Sequence, residues 1–237
     1  MYLAVVGERC PAHAVDALLS LPDVDKIIRL PADRQIGEPI SDHPDSLICI
    51  CEGKLFVHSE YAKVAAYELS YIAERGRLEI CTVECERDAL YPLDCGFNAL
   101  YLPDRHLLIG RRKSLAEPLK SIVNANTNQG YAGCAALYAG GHIITADPSM
   151  EKSAFSLNVP VYKIKGGDIS LPGYNEGFIG GAGGAFERTV CLFGSPKHSE
   201  SARSVENFCK CNFLNLFSLE DGPLTDRGGV KFVRTAE

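Results

Sequence analysis

Apolar residues in this chain fall into short runs, each bounded by glycine, proline or acidic residues, and the runs recur in one order. Leu47-Ile-Cys-Ile-Cys51 and Leu55-Phe-Val57 read as two strands joined by a tight turn at Glu52-Gly53. Residues 59–76 follow with apolar positions at Val64, Leu69 and Ile72, the pattern of an amphipathic helix ended by Gly76. The run LEICTV at 78–83 then predicts a third strand.

The same order fits the rest of the chain. Strands at 98–102 and 106–110, around Pro103-Asp104, precede a helical stretch at 115–124. Strands at 134–139 and 142–146, around Gly140-Gly141, precede a helix at 149–158 and a strand at 159–164. Strands at 177–181 and 189–194, joined through Gly183-Gly184, precede a helix at 199–210 and a strand at 213–219. The N-terminal unit has a strand at 3–7, a helix at 12–22 and a strand at 25–30, but lacks its leading strand; that strand is supplied by residues 229–233. Turn residues Asp45, Gly96, Gly130, Gly177 and Gly228 mark the units at intervals of 34 to 54 residues. A unit divided between the two termini predicts a closed ring, because pairing the last strand with the first leaves no free edge. The expectation is one α/β domain over residues 1–237, a propeller of five ββαβ units with pseudo-fivefold symmetry.

Charge narrows the partners. With 24 Lys and Arg against 30 Asp and Glu, the net charge is −6, which provides no basic field for nucleic acid or an anionic membrane surface. No apolar run reaches the roughly 20 residues that span a bilayer, and Met1 leads into a strand without a basic leader, so a cytoplasmic protein is expected. Ten cysteines without a C-x-x-C pattern read as thiols; Cys49 and Cys51 share one strand face as small buried hydrophobes. No metal or cofactor is called for.

Several segments carry a family resemblance. Residues 91–98, Tyr-Pro-Leu-Asp-Cys-Gly-Phe-Asn, resemble the loop in which pentein (guanidino-group-modifying) enzymes set a carboxylate against a guanidinium group. Lys165-Gly-Gly-Asp168 resembles their EGGD loop, residues 177–189 their Gly-rich segment, and residues 221–232 their C-terminal GGxxHC strand. Gln129-Gly-Tyr-Ala-Gly-Cys134 and Gly177-Phe-Ile-Gly-Gly181 are similar to motifs of an uncharacterised bacterial family of that fold. Relatives of this type are arginine deiminase, agmatine deiminase, dimethylargininase and arginine:glycine amidinotransferase. The resemblance implies loops converging at one end of a ring axis and a small cationic amine or guanidino ligand.

Those loops offer Asp42, His43 and Asp45, then Asp94, Cys95 and Asn98, then Gln129 and Tyr131, then Tyr174 and Glu176, and finally Asp226 and Arg227. The acid-rich rim suits a cation. Asp94, Asn98, Gln129, Tyr131, Asp168 and Asp226 are the expected ligand-binding residues. The chain departs from the family where catalysis is concerned: it reads Pro223-Leu-Thr-Asp-Arg-Gly228 where those enzymes carry their nucleophilic cysteine, and Lys165 replaces the acid of EGGD. As an enzyme it would be a hydrolase of a non-peptide C–N bond, with Cys95 or Cys134 as displaced nucleophile and His43 as base. As a catalytically inactive relative it would be a ligand- or protein-binding module. The glycines at 177, 180, 181, 183 and 184 lack a phosphate-loop pattern and are expected to allow close backbone approach near the axis.

Overall fold

A computed structural model describes residues 1–236. The elements in chain order begin with β1 (Tyr2–Gly7), α1 (Ala12–Leu19) and β2 (Val24–Leu30). The second group is α2 (Pro44–Leu47), β3 (Ile48–Cys51), β4 (Lys54–His58), α3 (Ser59–Val64), α4 (Ala66–Gly76) and β5 (Glu79–Val83). The third is β6 (Leu100–Leu102), β7 (Leu107–Gly110), α5 (Leu119–Ile122) and β8 (Ala125–Asn126). The fourth is α6 (Ala132–Ala135), β9 (Ala136–Ala139), β10 (His142–Thr145), α7 (Pro148–Ser156) and β11 (Val161–Lys163). Then come β12 (Gly183–Phe186), β13 (Thr189–Leu192), α8 (Glu200–Cys211) and β14 (Asn215–Ser218), and lastly β15 (Lys231–Arg234).

This mixed α/β chain forms five three-stranded sheets of one topology. In each, the leading strand pairs antiparallel with the second, and the second pairs parallel with the third across a helical connection. The expected exchange between termini is present: β15 leads the sheet of β1 and β2, with Leu3 opposite Val233 and Ala4 opposite Phe232. The Glu52-Gly53 hairpin has positive φ at both residues (51° and 71°), which matches the twist of the strands it joins.

Five apolar clusters lie between consecutive sheets. Leu3, Val5, Leu55 and Val57 pack the first sheet on the second, and Cys49, Phe56 and Leu108 pack the second on the third. Leu100, Ile109 and Ile143 join the third to the fourth, and Leu137, Ile144, Val190 and Leu192 join the fourth to the fifth. Tyr2, Ala4, Val6, Cys191 and Phe193 join the fifth back to the first. Strand β1 therefore buries both faces, Leu3 and Val5 on one side and Ala4 and Val6 on the other, which is why it reads as a continuous apolar run rather than an alternating one. Among the described residues no helix is long and apolar enough to cross a membrane.

Four local readings are corrected. The helix expected over 59–76 breaks at Ala65, and the one expected over 115–124 is confined to the turn after Pro118, whose ring nitrogen has no N–H for a preceding turn. Cys134 does not open a strand but sits in the helical turn α6. The leading strand of the fifth sheet is Gly183–Phe186, not 177–181, and its turn is Glu187-Arg188 rather than the glycine pair. Those glycines belong in the strand because neighbours press on it: a Cβ on Gly183 would lie 2.3 Å from the Cys191 carbonyl oxygen, and one on Gly184 would lie 2.6 Å from that of Val230.

Gly180 is tighter still, since an added Cβ would meet the backbone oxygens of Ala136, Gly133 and Cys134 at 2.3, 2.6 and 2.7 Å. Gly180→Ala should therefore cost about 1–3 kcal/mol by urea unfolding. Gly222→Ala, with nothing within 4 Å of the new methyl group, should stay within about 0.5 kcal/mol of the parent. Equal stabilities for the two variants would contradict this packing.

Candidate functional site

The segments that precede the five leading strands are tied to one another. Asn98 Oδ1 accepts from the backbone N–H groups of Gly133 (2.8 Å) and Cys134 (3.2 Å). The Cys134 carbonyl accepts from Gly180 N (2.8 Å) and Gly181 N (3.1 Å), and that of Gly181 accepts from Arg227 N and Gly229 N, both at 2.8 Å. Asp45 N in turn donates to the Gly228 carbonyl at 3.3 Å. The remaining junction is bridged by Arg87, whose Nη2 donates to the Ser46 carbonyl at 3.2 Å. Gly228 has φ of 75°, and a Cβ there would lie 2.4 Å from the His43 Cα, so the chain turns directly against His43.

This arrangement gathers residues from distant parts of the sequence. The Cys134 thiol donates to Asp226 Oδ2 at 3.1 Å. The Asp226 carboxylate also accepts from Phe178 N (2.8 Å) and Gly228 N (3.0 Å), and His43 Nδ1 stands 3.7 Å from its Oδ1. Asp45, only 2% exposed, takes one hydrogen bond on Oδ1 from the Ser46 hydroxyl (3.3 Å), while its Oδ2 has no partner. His43, Asp45, Tyr131, Cys134, Tyr174 and Phe178 line a chamber of about 40 Å³, room for a few waters or a compact head group. Behind it the Tyr131 hydroxyl donates to Asp94 Oδ2 at 2.5 Å, and Asp94 Oδ1 has no partner.

Burial dominates the electrostatics. It raises the Asp45 carboxyl above its ordinary value, with Asp226 adding to the rise and Lys231 and His43 opposing it. It raises Asp94 as well, against the Tyr131 hydrogen bond. The Cys134 thiol is driven well above its usual range by burial and then by the charges of Asp226 and Asp45, so at neutral pH it keeps its proton. Burial also pushes Cys95 up to about 12, and its thiol donates to the Pro92 carbonyl at 3.1 Å rather than meeting His43.

His43, Tyr131, Cys134 and Asp226, four of the residues expected from sequence, thus converge, with Asp94 one hydrogen bond away. Others have supporting positions. Asn98 fixes the turn that carries Cys134. Gln129 accepts from Tyr131 N (3.1 Å) and donates to Asp147 Oδ2 (2.9 Å), holding the Tyr131 segment. Asp168 stands apart: Ser199 Oγ (2.7 Å), Ser201 N (3.1 Å) and Ser201 Oγ all donate to it at the start of α8. Burial works against its charged form, but these donors prevail and its carboxyl lies below the ordinary value. Phe178 was hidden in the sequence because an apolar residue among glycines gives no chemical signal.

Across His43 and Asp226 lies a second, open cavity of about 200 Å³ that also touches Arg9, Asp42 and Arg227. Its charges are already matched: Arg9 bonds to Asp42 and Glu38, and Arg227 holds both oxygens of Glu220 at 2.6 and 3.0 Å. Among the described residues no three His, Cys, Asp or Glu side chains are placed to hold a metal ion, and all ten cysteines are free thiols.

Residues 5–231 match the profile of a family of unknown function (DUF6873), and the chain belongs to that family. None of the curated proteins matches it.

The raised Asp45 carboxyl has a signed consequence. Below its unfolded value near 3.9 both states hold the proton and nothing is lost. As the pH climbs, the unfolded chain gives up the proton first and the folded state loses relative stability until the folded value is passed. Asp45→Asn should therefore be more stable than the parent at pH 7.5, with the advantage fading towards pH 4. Urea midpoints that differ by the same amount at both values would contradict this.

Proposed function

Starting from that membership, we propose that this chain is a five-unit ring of the pentein type and binds the head of a small cationic amine or guanidino compound in the acidic chamber. The repeated sheet topology, the clusters between consecutive sheets and the pairing of β15 with β1 support the ring. One observation carries the ligand class: Asp45 is buried with an unpartnered carboxylate oxygen in a chamber walled by Tyr131, Tyr174 and Phe178. A carboxylate withdrawn from water with only the charges of Lys231 and His43 to offset it is costly, and a cation among the aromatic rings beside Asp45 and Glu176 lowers that cost. The chamber is too small for a whole amino acid, so it takes the charged head alone.

Binding and catalysis separate at Cys134. The thiol faces two carboxylates, and the His43 ring contacts Asp226 rather than the sulfur, so no base is poised on the nucleophile. This geometry favours the binding reading. A bound guanidinium would oppose the carboxylates and favour the thiolate; attack on the amidino carbon would then release an amine carrying a proton, and water would cleave the resulting S–C bond.

Thermal shift with agmatine, arginine, methylarginines and simple amines tests the binding reading. A ligand at one hundred times its Kd should stabilise the protein by about 2.7 kcal/mol, and Asp45→Asn should remove most of the shift. No shift with any cation, or an unchanged shift in Asp45→Asn, would rule the site out. Turnover followed by mass spectrometry, with iodoacetamide labelling of Cys134 in the presence of the binding cation, separates an enzyme from a binding protein.

A further inference from the structure

The walls of the acidic chamber leave few hydrogen-bond acceptors free. On its lining the backbone carbonyls of Ile40, His43, Tyr131, Cys134, Leu171 and Phe178 all accept from backbone N–H groups. The Ser46 hydroxyl donates to Asp45 Oδ1 and the Cys134 thiol to Asp226 Oδ2, which leaves Asp45 Oδ2 as the buried side-chain acceptor on the lining without a hydrogen-bond partner. Lys231 and His43 act on this carboxylate through their charge. Glu176, exposed on the same lining, adds negative charge at the mouth. What the walls offer in place of acceptors is rings. Tyr131 commits its hydroxyl to Asp94, so its ring is what remains for a ligand, and Phe178 has no polar side-chain atom. Tyr174, 42% exposed, stands with Glu176 at the edge.

Resting on the reading of this chamber as a cation site, we propose that its ligand is a tertiary amine, an N,N-dimethylated ammonium head whose methyl groups lie on the Tyr131, Tyr174 and Phe178 rings and whose single N–H reaches Asp45 Oδ2. A guanidinium brings five N–H donors and a primary ammonium three. Beside one free buried acceptor most of those donors lose hydration without regaining a bond. A dimethylammonium head has one donor for that one acceptor, and its methyl groups carry the positive charge onto the ring faces. A quaternary head keeps the rings but forgoes the hydrogen bond. At roughly 10–15 Å³ for each water-sized group, the chamber of about 40 Å³ houses the nitrogen and two methyl groups. The third substituent leaves past Tyr174 and Glu176, both exposed.

Isothermal titration of the full chain with four cations of one tail tests the assignment: butylamine, butylguanidine, N,N-dimethylbutylamine and butyltrimethylammonium. Dimethylbutylamine should bind about tenfold more tightly than butylamine or butylguanidine, with butyltrimethylammonium in between. Tyr174→Leu, at an exposed position, keeps apolar bulk but removes a ring; it should shrink the preference over butylamine to about threefold, whereas Tyr174→Phe should retain it. Butylamine or butylguanidine binding as tightly as dimethylbutylamine, or an undiminished preference in Tyr174→Leu, would overturn the tertiary-amine assignment and leave the cation chamber standing. No saturable binding by any of the four would overturn both.

Discussion

The constraint on which the rest depends is the run of hydrogen bonds that links the segments preceding the leading strands: Asn98 to 133–134, Cys134 to 180–181, Gly181 to 227 and 229, and Gly228 to Asp45. Each bond joins residues of different sheets, so the sheets are held in position by backbone at one end as well as by side chains between them. These N–H and C=O groups are removed from water and must be paired somewhere. Pairing them with one another leaves little room, and glycine at 180 and 181 is the result: a methyl group on either would collide with a carbonyl or with the Asp226 carboxylate.

The chemistry follows from that crowding. Side chains on the same segments, Asp45, Cys134 and Asp226, are driven into contact whether or not their charges agree. Two carboxylates and a thiol make an unfavourable group by themselves, and a group of opposite charge offsets it. The same closeness keeps the thiol protonated. A cysteine in this position is a reporter of what fills the chamber before it is a nucleophile.

Much of the architecture was legible because repetition amplifies weak signals. One apolar run between turns is ambiguous between strand and buried helix; five in the same order, with a leading strand left over at residues 229–233, are not. What failed to show was local and steric. Gly183-Gly184 has the composition of a turn, and only the neighbouring Cys191 and Val230 carbonyls reveal why it is a strand. The site was legible to the extent that it depends on position in the repeat, which brought His43, Tyr131, Cys134 and Asp226 together. It was misleading at Asp168, where loop similarity suggested a ligand group and two serines beyond it in sequence, Ser199 and Ser201, turn it into a support for α8.

The pairing of β15 with β1 also orders the molecule in time. Strands β3 to β14 can complete their sheets as they leave the ribosome, each from neighbouring sequence. The sheet of β1 and β2 cannot, because its leading strand, β15, follows all the other strands in the chain. Until residues 231–234 emerge, β1 keeps an unpaired edge of backbone, open to any passing strand. Arrival of β15 closes that edge, and the same strand brings Lys231 and the segment bearing Asp226 to their places.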